Sequence, residues 1–211
     1  VHIHIIDAEL MGKGEKEKKD LYIEGIQNNG IINHYEYIIN SEGTIEIRHV
    51  LKPEGKMPLW FPRIGLTLTV SDALDQVKWY GRGPQENYPD RKTGYPTGIY
   101  ASTVQAMYEP YLMPQDYGLR TDVRWLQLTT DKGIGLQFKM NEWFNFNIYP
   151  YSTDNLTKAM YTYQLQKQKG MTLNLDYATT GVGCTARGVF GAYKAMPQEY
   201  RRTISIRPMM K

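Results

Sequence analysis

An all-β fold of antiparallel strands packed in two layers is what this sequence predicts, and three observations carry the prediction. Runs rich in β-branched and aromatic residues, with partial period-two alternation, recur from residue 21 to residue 207. Clusters of Asn, Asp, Ser and Gly punctuate several of them as turns. Only one stretch carries a helical period. Two layers follow because a lone sheet cannot bury both of its faces.

Taken in order, residues 21–26, 31–39 and 44–51 read as strands, with Asn28-Asn29-Gly30 and Asn40-Ser41-Glu42-Gly43 as the hairpin turns between them. Further strands are predicted at 63–70, 76–80, 123–129, 135–140, 144–148, 171–178 and 201–207, with Asp131-Lys132-Gly133 turning one hairpin. Asn141-Glu142 falls between two of these and reads as another hairpin turn. Residues 154–165 carry the helical period: Thr153 or Asp154 would cap the helix, and Leu156, Ala159, Met160 and Tyr163 would share a face. The stretch 81–120 reads as one long loop, of the kind that is functional or docks on something.

The chain has 211 residues, 41% hydrophobic and 22% charged, which fits one soluble domain with a real core. A net charge of +3 is too small to indicate a nucleic-acid partner. The Lys13 to Lys19 run mixes in Glu15 and Glu17 and reads as a solvated hairpin loop. No segment approaches the roughly 18 apolar residues that would span a membrane. Cys184 is the single cysteine and has no partner for an internal disulfide. The chain opens on Val1 without a basic, apolar leader, which leaves a bacterial cytoplasm and a periplasm equally open as compartments.

The most informative segment is Trp79-Tyr80-Gly81-Arg82-Gly83-Pro84-Gln85-Glu86-Asn87-Tyr88-Pro89-Asp90-Arg91. Gly admits positive φ, Pro fixes φ, and Asn or Asp bonds its own backbone, so a rigid loop leaves a strand end here. Arg82, Glu86, Asp90 and Arg91 are available for internal ion pairs and backbone bonds. Four blocks follow it: Tyr108-Glu109-Pro110-Tyr111; Pro114-Gln115-Asp116-Tyr117-Gly118-Leu119-Arg120 through Arg124; Phe144-Asn145-Phe146-Asn147 with Pro150-Tyr151-Ser152; and Leu173-Asn174-Leu175-Asp176 with Gly181-Val182-Gly183. In this order the five blocks closely resemble the C-terminal small-chain domain of the β-galactosidases of glycoside hydrolase family 2. Residues 1–76 and the tail resemble it only in pattern.

The resemblance implies a galactose-mutarotase-like supersandwich over residues 1–211, the C-terminal part of a larger β-galactosidase. The family's segment ending in an Arg-Ala-Pro-x-Asp-Asn-like stretch has no counterpart here, so the chain is expected to be cut inside the domain at its N-terminus. The implied parent hydrolyses terminal β-galactosides with retention, on two Glu side chains of a TIM barrel, with magnesium and a monovalent cation bound in that barrel. The implied role of this chain is to brace the barrel and line the rim of the sugar site. Nothing here resembles a barrel, and Asn141-Glu142, which matches the Asn-Glu of the family's acid/base as a dipeptide, is read as a turn rather than a catalytic pair. No catalytic residue and no metal ligand is therefore assigned to the chain, and the chain alone is expected to be inactive. In family members the segment after Gly-x-Gly offers a Trp as a sugar platform; here it runs from Gly181 to Tyr193 without one. Arg187, Phe190 and Tyr193 are the candidate substrate-binding residues in its place. Gln85 and the Tyr161-x-Tyr163 pair stand where many relatives carry His.

Rival chemistry is thinner. His2 and His4 share a face of a predicted strand but have no third ligand nearby, so solvent-facing histidines are expected. No Gly-rich phosphate loop opens a helix, and no nucleophile elbow is present. A mutarotase-type epimerase would need a base such as His, and none follows His49. Seventeen Tyr, many in predicted loops, admit two readings: rings that stack on sugar in a stand-alone carbohydrate-binding module, or rings that wedge a long loop onto the domain. The partners expected are the catalytic barrel, a β-galactoside or galactose, and a second copy joined through an unpaired strand edge.

Overall fold

A computed structural model describes residues 30–184 and 188–210. The predicted strand at 21–26, the Asn28-Asn29 turn, the Lys13 to Lys19 run, His2, His4 and Arg187 lie outside the described residues. Within them strands make up nearly all of the regular secondary structure, and every strand pairing is antiparallel. The strands are β1 (Gly30–Ile39), β2 (Ile45–Glu54), β3 (Arg63–Val70), β4 (Gln76–Arg82), β5 (Thr97–Thr103), β6 (Arg120–Thr129), β7 (Gly135–Tyr149), β8 (Met171–Thr179) and β9 (Tyr200–Met209). One six-residue helix, α1 (Thr153–Lys158), lies between β7 and β8.

The predicted antiparallel all-β class is observed, hydrogen-bonded as one branched sheet of nine strands. Its main path runs β1-β2-β9-β7-β6-β4-β5, and β3 joins through β8 to β7. The branch is β7 itself. Its Gly135 to Met140 stretch pairs with β9, and its Asn145 to Tyr149 stretch pairs with β8. Alternating side chains from both arms fill one core: Ile47, Leu66, Leu68, Val77, Trp79, Leu126, Leu128, Phe138, Leu173, Leu175, Ile204 and Ile206 are all buried there.

The branch corrects the reading of Asn141-Glu142. Residues 135–140 and 144–148 are one continuous strand, not two joined by a hairpin. Pairing with β6 jumps from Trp125↔Lys139 to Val123↔Phe144, so residues 140–143 form a wide bulge. A bulge of this size bends the strand and lets its two halves serve different neighbours. Asn141 accepts from the Thr203 amide at 3.0 Å, and Glu142 pairs with Arg202 at 2.9 Å.

Two further expectations change. Residues 81–120 are not one loop, because β5 lies inside them and pairs along the whole of β4. As an edge strand with little burial, it lacks the apolar density that marks the others. The helix is shorter than 154–165: Ser152 caps it by accepting from the Asn155 amide at 3.0 Å, and α1 ends at Lys158. The Gln164 side chain then accepts from the amides of Met160 and Tyr161 at 2.7 and 3.2 Å, which stops the helix from continuing. Leu156 and Ala159 are buried as predicted, but Met160 and Tyr163 are exposed.

Candidate functional site

The loop that leaves β4 is built on Trp79, fully buried between Phe146 and Tyr100, with the Arg120 guanidinium 5.5 Å from its ring centroid. Its Nε1 donates to the Arg82 carbonyl at 3.0 Å, so the ring holds the start of the loop. Arg82 in turn donates to Asp122 at 2.6 Å and to the Tyr95 carbonyl at 2.9 Å, while Lys92 reaches the other Asp122 oxygen at 2.6 Å. Burial alone would raise the Asp122 carboxyl, but the two cations hold it below its ordinary value. Asp122 sits at φ 55 where β6 breaks register, a left-handed backbone that Asp tolerates better than most residues.

Glu86 stands at the centre of the loop and accepts three hydrogen bonds. It takes the hydroxyl of Tyr111, the hydroxyl of Tyr88 at 3.0 Å and the amide of Gly118 at 2.7 Å. Gly118 offers that amide at φ 76, a conformation that favours glycine. Arg120 closes the arrangement by donating to the carbonyls of Pro84 and Gly118 at 3.0 and 2.8 Å. Burial lowers its guanidinium to about 10, against the attraction of Glu86 and Glu109. Asn87, completely buried, exchanges bonds with Leu119 and Thr121: its amide donates to the Leu119 carbonyl at 2.8 Å, and its Oδ1 accepts from Thr121. Tyr88 and Tyr117 are buried, and Tyr108 packs edge-on against Tyr117, so these rings wedge the loop onto the domain.

A second polar cluster lies on the other face of β8. That strand is buried on both sides, with Leu173 and Leu175 in the core and Thr172, Asn174 and Asp176 turned away from it. Arg63 pairs with Asp176 at 2.9 Å and with Asp116 at 3.3 Å. Asp116 also accepts from Asn147 at 2.8 Å and from Tyr149 at 3.0 Å, and Asn174 donates to both Asn147 and Tyr149. Burial raises the Asp176 carboxyl to about 6 despite Arg63. Sequence reasoning missed this cluster. Its members Asp116, Asn147, Asn174 and Asp176 stand in three of the blocks quoted above, but nothing local to those blocks shows that they meet; the Leu173-Asn174-Leu175-Asp176 alternation belongs to a strand buried on both sides.

Most carboxylates in and beside the two clusters are already engaged. Glu86, Asp90, Asp116, Asp122 and Asp176 each accept from at least two neighbours, which suits carboxylates that hold structure. Among the described residues, no group of three His, Cys, Asp or Glu gathers where it would hold a metal ion.

The predicted substrate-binding residues lie on a different loop. Between β8 and β9 the chain runs out and returns, and Gly181 N donates to the Tyr193 carbonyl at 2.8 Å to close its neck. Phe190 is 66% exposed and Tyr193 40% exposed, at and near a 3₁₀ turn, Gly191–Tyr193. The two are on one short segment, and Arg187 falls outside the described residues. The link from this loop to the first one is direct. Asp90 accepts from the amides of Val182 and Gly183 at 3.1 and 2.7 Å, and Arg91 donates to the Gly183 carbonyl at 2.8 Å.

Fold and site together define an antiparallel all-β domain with a polar, immobilised loop that supports a second loop bearing exposed aromatic rings. The chain belongs to the β-galactosidase small chain family, whose model matches residues 7–206. It is 38% identical over 147 residues to a β-galactosidase of Priestia megaterium, covering 70% of this chain and 14% of that protein. It is 33% identical over 159 residues to a β-galactosidase of Pseudoalteromonas haloplanktis, covering 74% of this chain and 14% of that protein. A β-galactosidase of Vibrio cholerae is 39% identical over 122 residues, which cover 58% of this chain and 11% of that protein. The chain thus spans about a seventh, or less, of the length of these relatives.

Proposed function

We propose that this chain is the C-terminal, small-chain part of a β-galactosidase that hydrolyses terminal β-galactosides with retention, through a glycosyl-enzyme intermediate. Its work is to brace the catalytic barrel and to line the rim of the sugar site with Phe190 and Tyr193, joined by Arg187. The catalytic Glu pair, the magnesium and the monovalent cation are assigned to the barrel. The observation that carries this reading is the construction of the 182–192 loop. Its neck is bonded to Asp90 and Arg91, yet its aromatic side chains remain open to a ligand. Aromatic rings presented in this way suit the C–H face of a pyranose.

The test is a pair of assays. The isolated chain should show no turnover of a chromogenic β-galactoside above buffer, and adding it to a β-galactosidase that lacks this part should restore activity. Turnover by the chain alone that disappears in Glu142→Gln would overturn the assignment. Among the described residues β1 is the last strand on its side of the sheet and leaves Ile32, Tyr37, Ile38 and Ile39 exposed; self-association through this side is part of the proposal, and light scattering over a concentration series reads it out. No helix of the described residues is long and apolar enough to cross a membrane.

One observation favours a second reading, a stand-alone carbohydrate-binding module. Tyr161 and Tyr163 stack at 5.4 Å with an interplanar angle of 6°, and both are exposed. Calorimetry with galactose separates the readings: micromolar binding by a monomeric chain supports the module, and negligible binding supports the rim of a larger site.

A further inference from the structure

The segment Asn87-Tyr88-Pro89-Asp90-Arg91 and the neck of the 182–192 loop meet although they lie more than 90 residues apart. We infer that Asp90 and Arg91 are positioning residues for sugar recognition, because their bonds to Val182 and Gly183 fix the neck from which Phe190 and Tyr193 project. This rests on the reading of that loop as the rim of the sugar site.

Four features of the geometry converge on the inference. Phe190 is two-thirds exposed and Tyr193 only partly covered, so their placement depends strongly on the backbone that carries them. That backbone is closed at one point by Gly181 N to the Tyr193 carbonyl. Beyond the neck, the Ala195 amide donates to Thr180 Oγ1 at 2.9 Å, and the Phe61 amide donates to the Ala195 carbonyl at 2.8 Å. The returning strand end is therefore fixed as well. Finally, the contact leaves no spare room: a Cβ on Gly181 would lie 2.4 Å from Asp90 Cγ.

Asp90 is itself seated on an immobile base. The Arg91 amide donates to the Tyr88 carbonyl at 2.8 Å, and Tyr88 and Asn87 are buried. A carboxylate that accepts two successive backbone amides makes charge-assisted bonds, stronger than neutral ones. Ordering the loop in advance removes an entropy cost that a ligand would otherwise meet on binding.

The experiment uses the β-galactosidase that contains this chain, with kcat and KM for a chromogenic β-galactoside and Ki for galactose. Asp90→Ala should raise KM and Ki together on the order of tenfold with kcat nearly unchanged, the signature of lost uniform binding. Asp90→Asn, which keeps one acceptor, should fall between. Gly181→Ala should resemble Asp90→Ala. The double variant should be no worse than either single, since both break one contact. Arg91→Ala, which removes a single bond, should raise KM less and leave the thermal midpoint in place. If Phe190→Ala and Tyr193→Ala raise KM while Asp90→Ala and Gly181→Ala do not, the positioning role is wrong and the rim reading stands. If none of the four moves KM, the rim reading falls and this inference with it. If Asp90→Ala and Arg91→Ala lower kcat and thermal midpoint in proportion, with KM unchanged, the two residues serve stability alone.

Discussion

The loop that follows β4 and the loop that precedes β9 sit side by side and are built on opposite terms. In the first, side chains do the holding: Glu86, Asn87 and Arg120 satisfy backbone groups from inside, and Trp79 and Tyr88 are buried. In the second, the backbone is held at its neck from outside, and Phe190 and Tyr193 face solvent. The contrast separates a scaffold from a surface. A residue buried in a polar network cannot change without stranding its partners, whereas a side chain projecting from a fixed neck can change with little structural cost.

Substitutions should therefore divide sharply between the two regions; of four measurements, three substitutions test the division and a pH profile tests the core outside both loops. Trp79→Ala should have the largest effect, about 3–5 kcal/mol of lost stability in urea unfolding, because it empties a fully buried ring site and strands the Arg82 carbonyl. A loss below about 1 kcal/mol would mean that the first loop is not anchored through this ring. Asn87→Ala should come next at about 2 kcal/mol, since the Thr121 amide and hydroxyl lose their acceptor inside the domain.

The third measurement is stability against pH, where two buried groups outside both loops act in opposite senses. Asp176 is raised to about 6, so from its ordinary value up to about 6 the folded chain keeps a proton that the unfolded chain releases. Its contribution makes stability fall as pH rises through that window. His49 is buried between the Tyr177 hydroxyl at 2.7 Å and Asn33 Oδ1 at 3.1 Å, and burial lowers it to about 4. Between about 4 and its ordinary value the unfolded chain holds the extra proton, so this contribution makes stability rise with pH. The unaltered chain should show a shallow profile from pH 4 to 6. Asp176→Asn should reveal the rise, and His49→Gln should reveal the fall. Slopes of the same sign in both variants would contradict the assignment. The smallest effect belongs to the second loop: Phe190→Ala should change stability by less than about 0.5 kcal/mol, and a larger loss would erase the contrast between the loops.

Local chemistry made much of the fold legible in advance. β3 begins and ends where alternation places it, at Arg63 and Val70, and the Asn40 to Gly43 and Asp131 to Gly133 turns fall between paired strands with Gly43 and Gly133 at positive φ. The turn chemistry of residues 79–91 was legible too, because Pro fixes φ, Gly admits backbone conformations that other residues avoid, and Asn bonds nearby backbone. The family was written in the order of the blocks, and the match over residues 7–206 bears that out.

Tertiary structure decided what depends on partners far away in the chain. β5 is a strand because β4 pairs with it, although its own residues bury little. Residues 141 and 142 are a bulge because β7 must serve β9 with one half and β8 with the other; a polar pair between apolar runs is compatible with either a bulge or a turn. His49 stands singly in the sequence yet is buried under Tyr35 and Tyr177, on a strand whose alternation cannot say how deeply each face is covered. The same holds for Asp90 and the neck it grips. Periodicity and turn chemistry act over a few residues and can be read from them. Burial, hydrogen-bond partners and proton affinities are set by contacts that only the folded chain brings together.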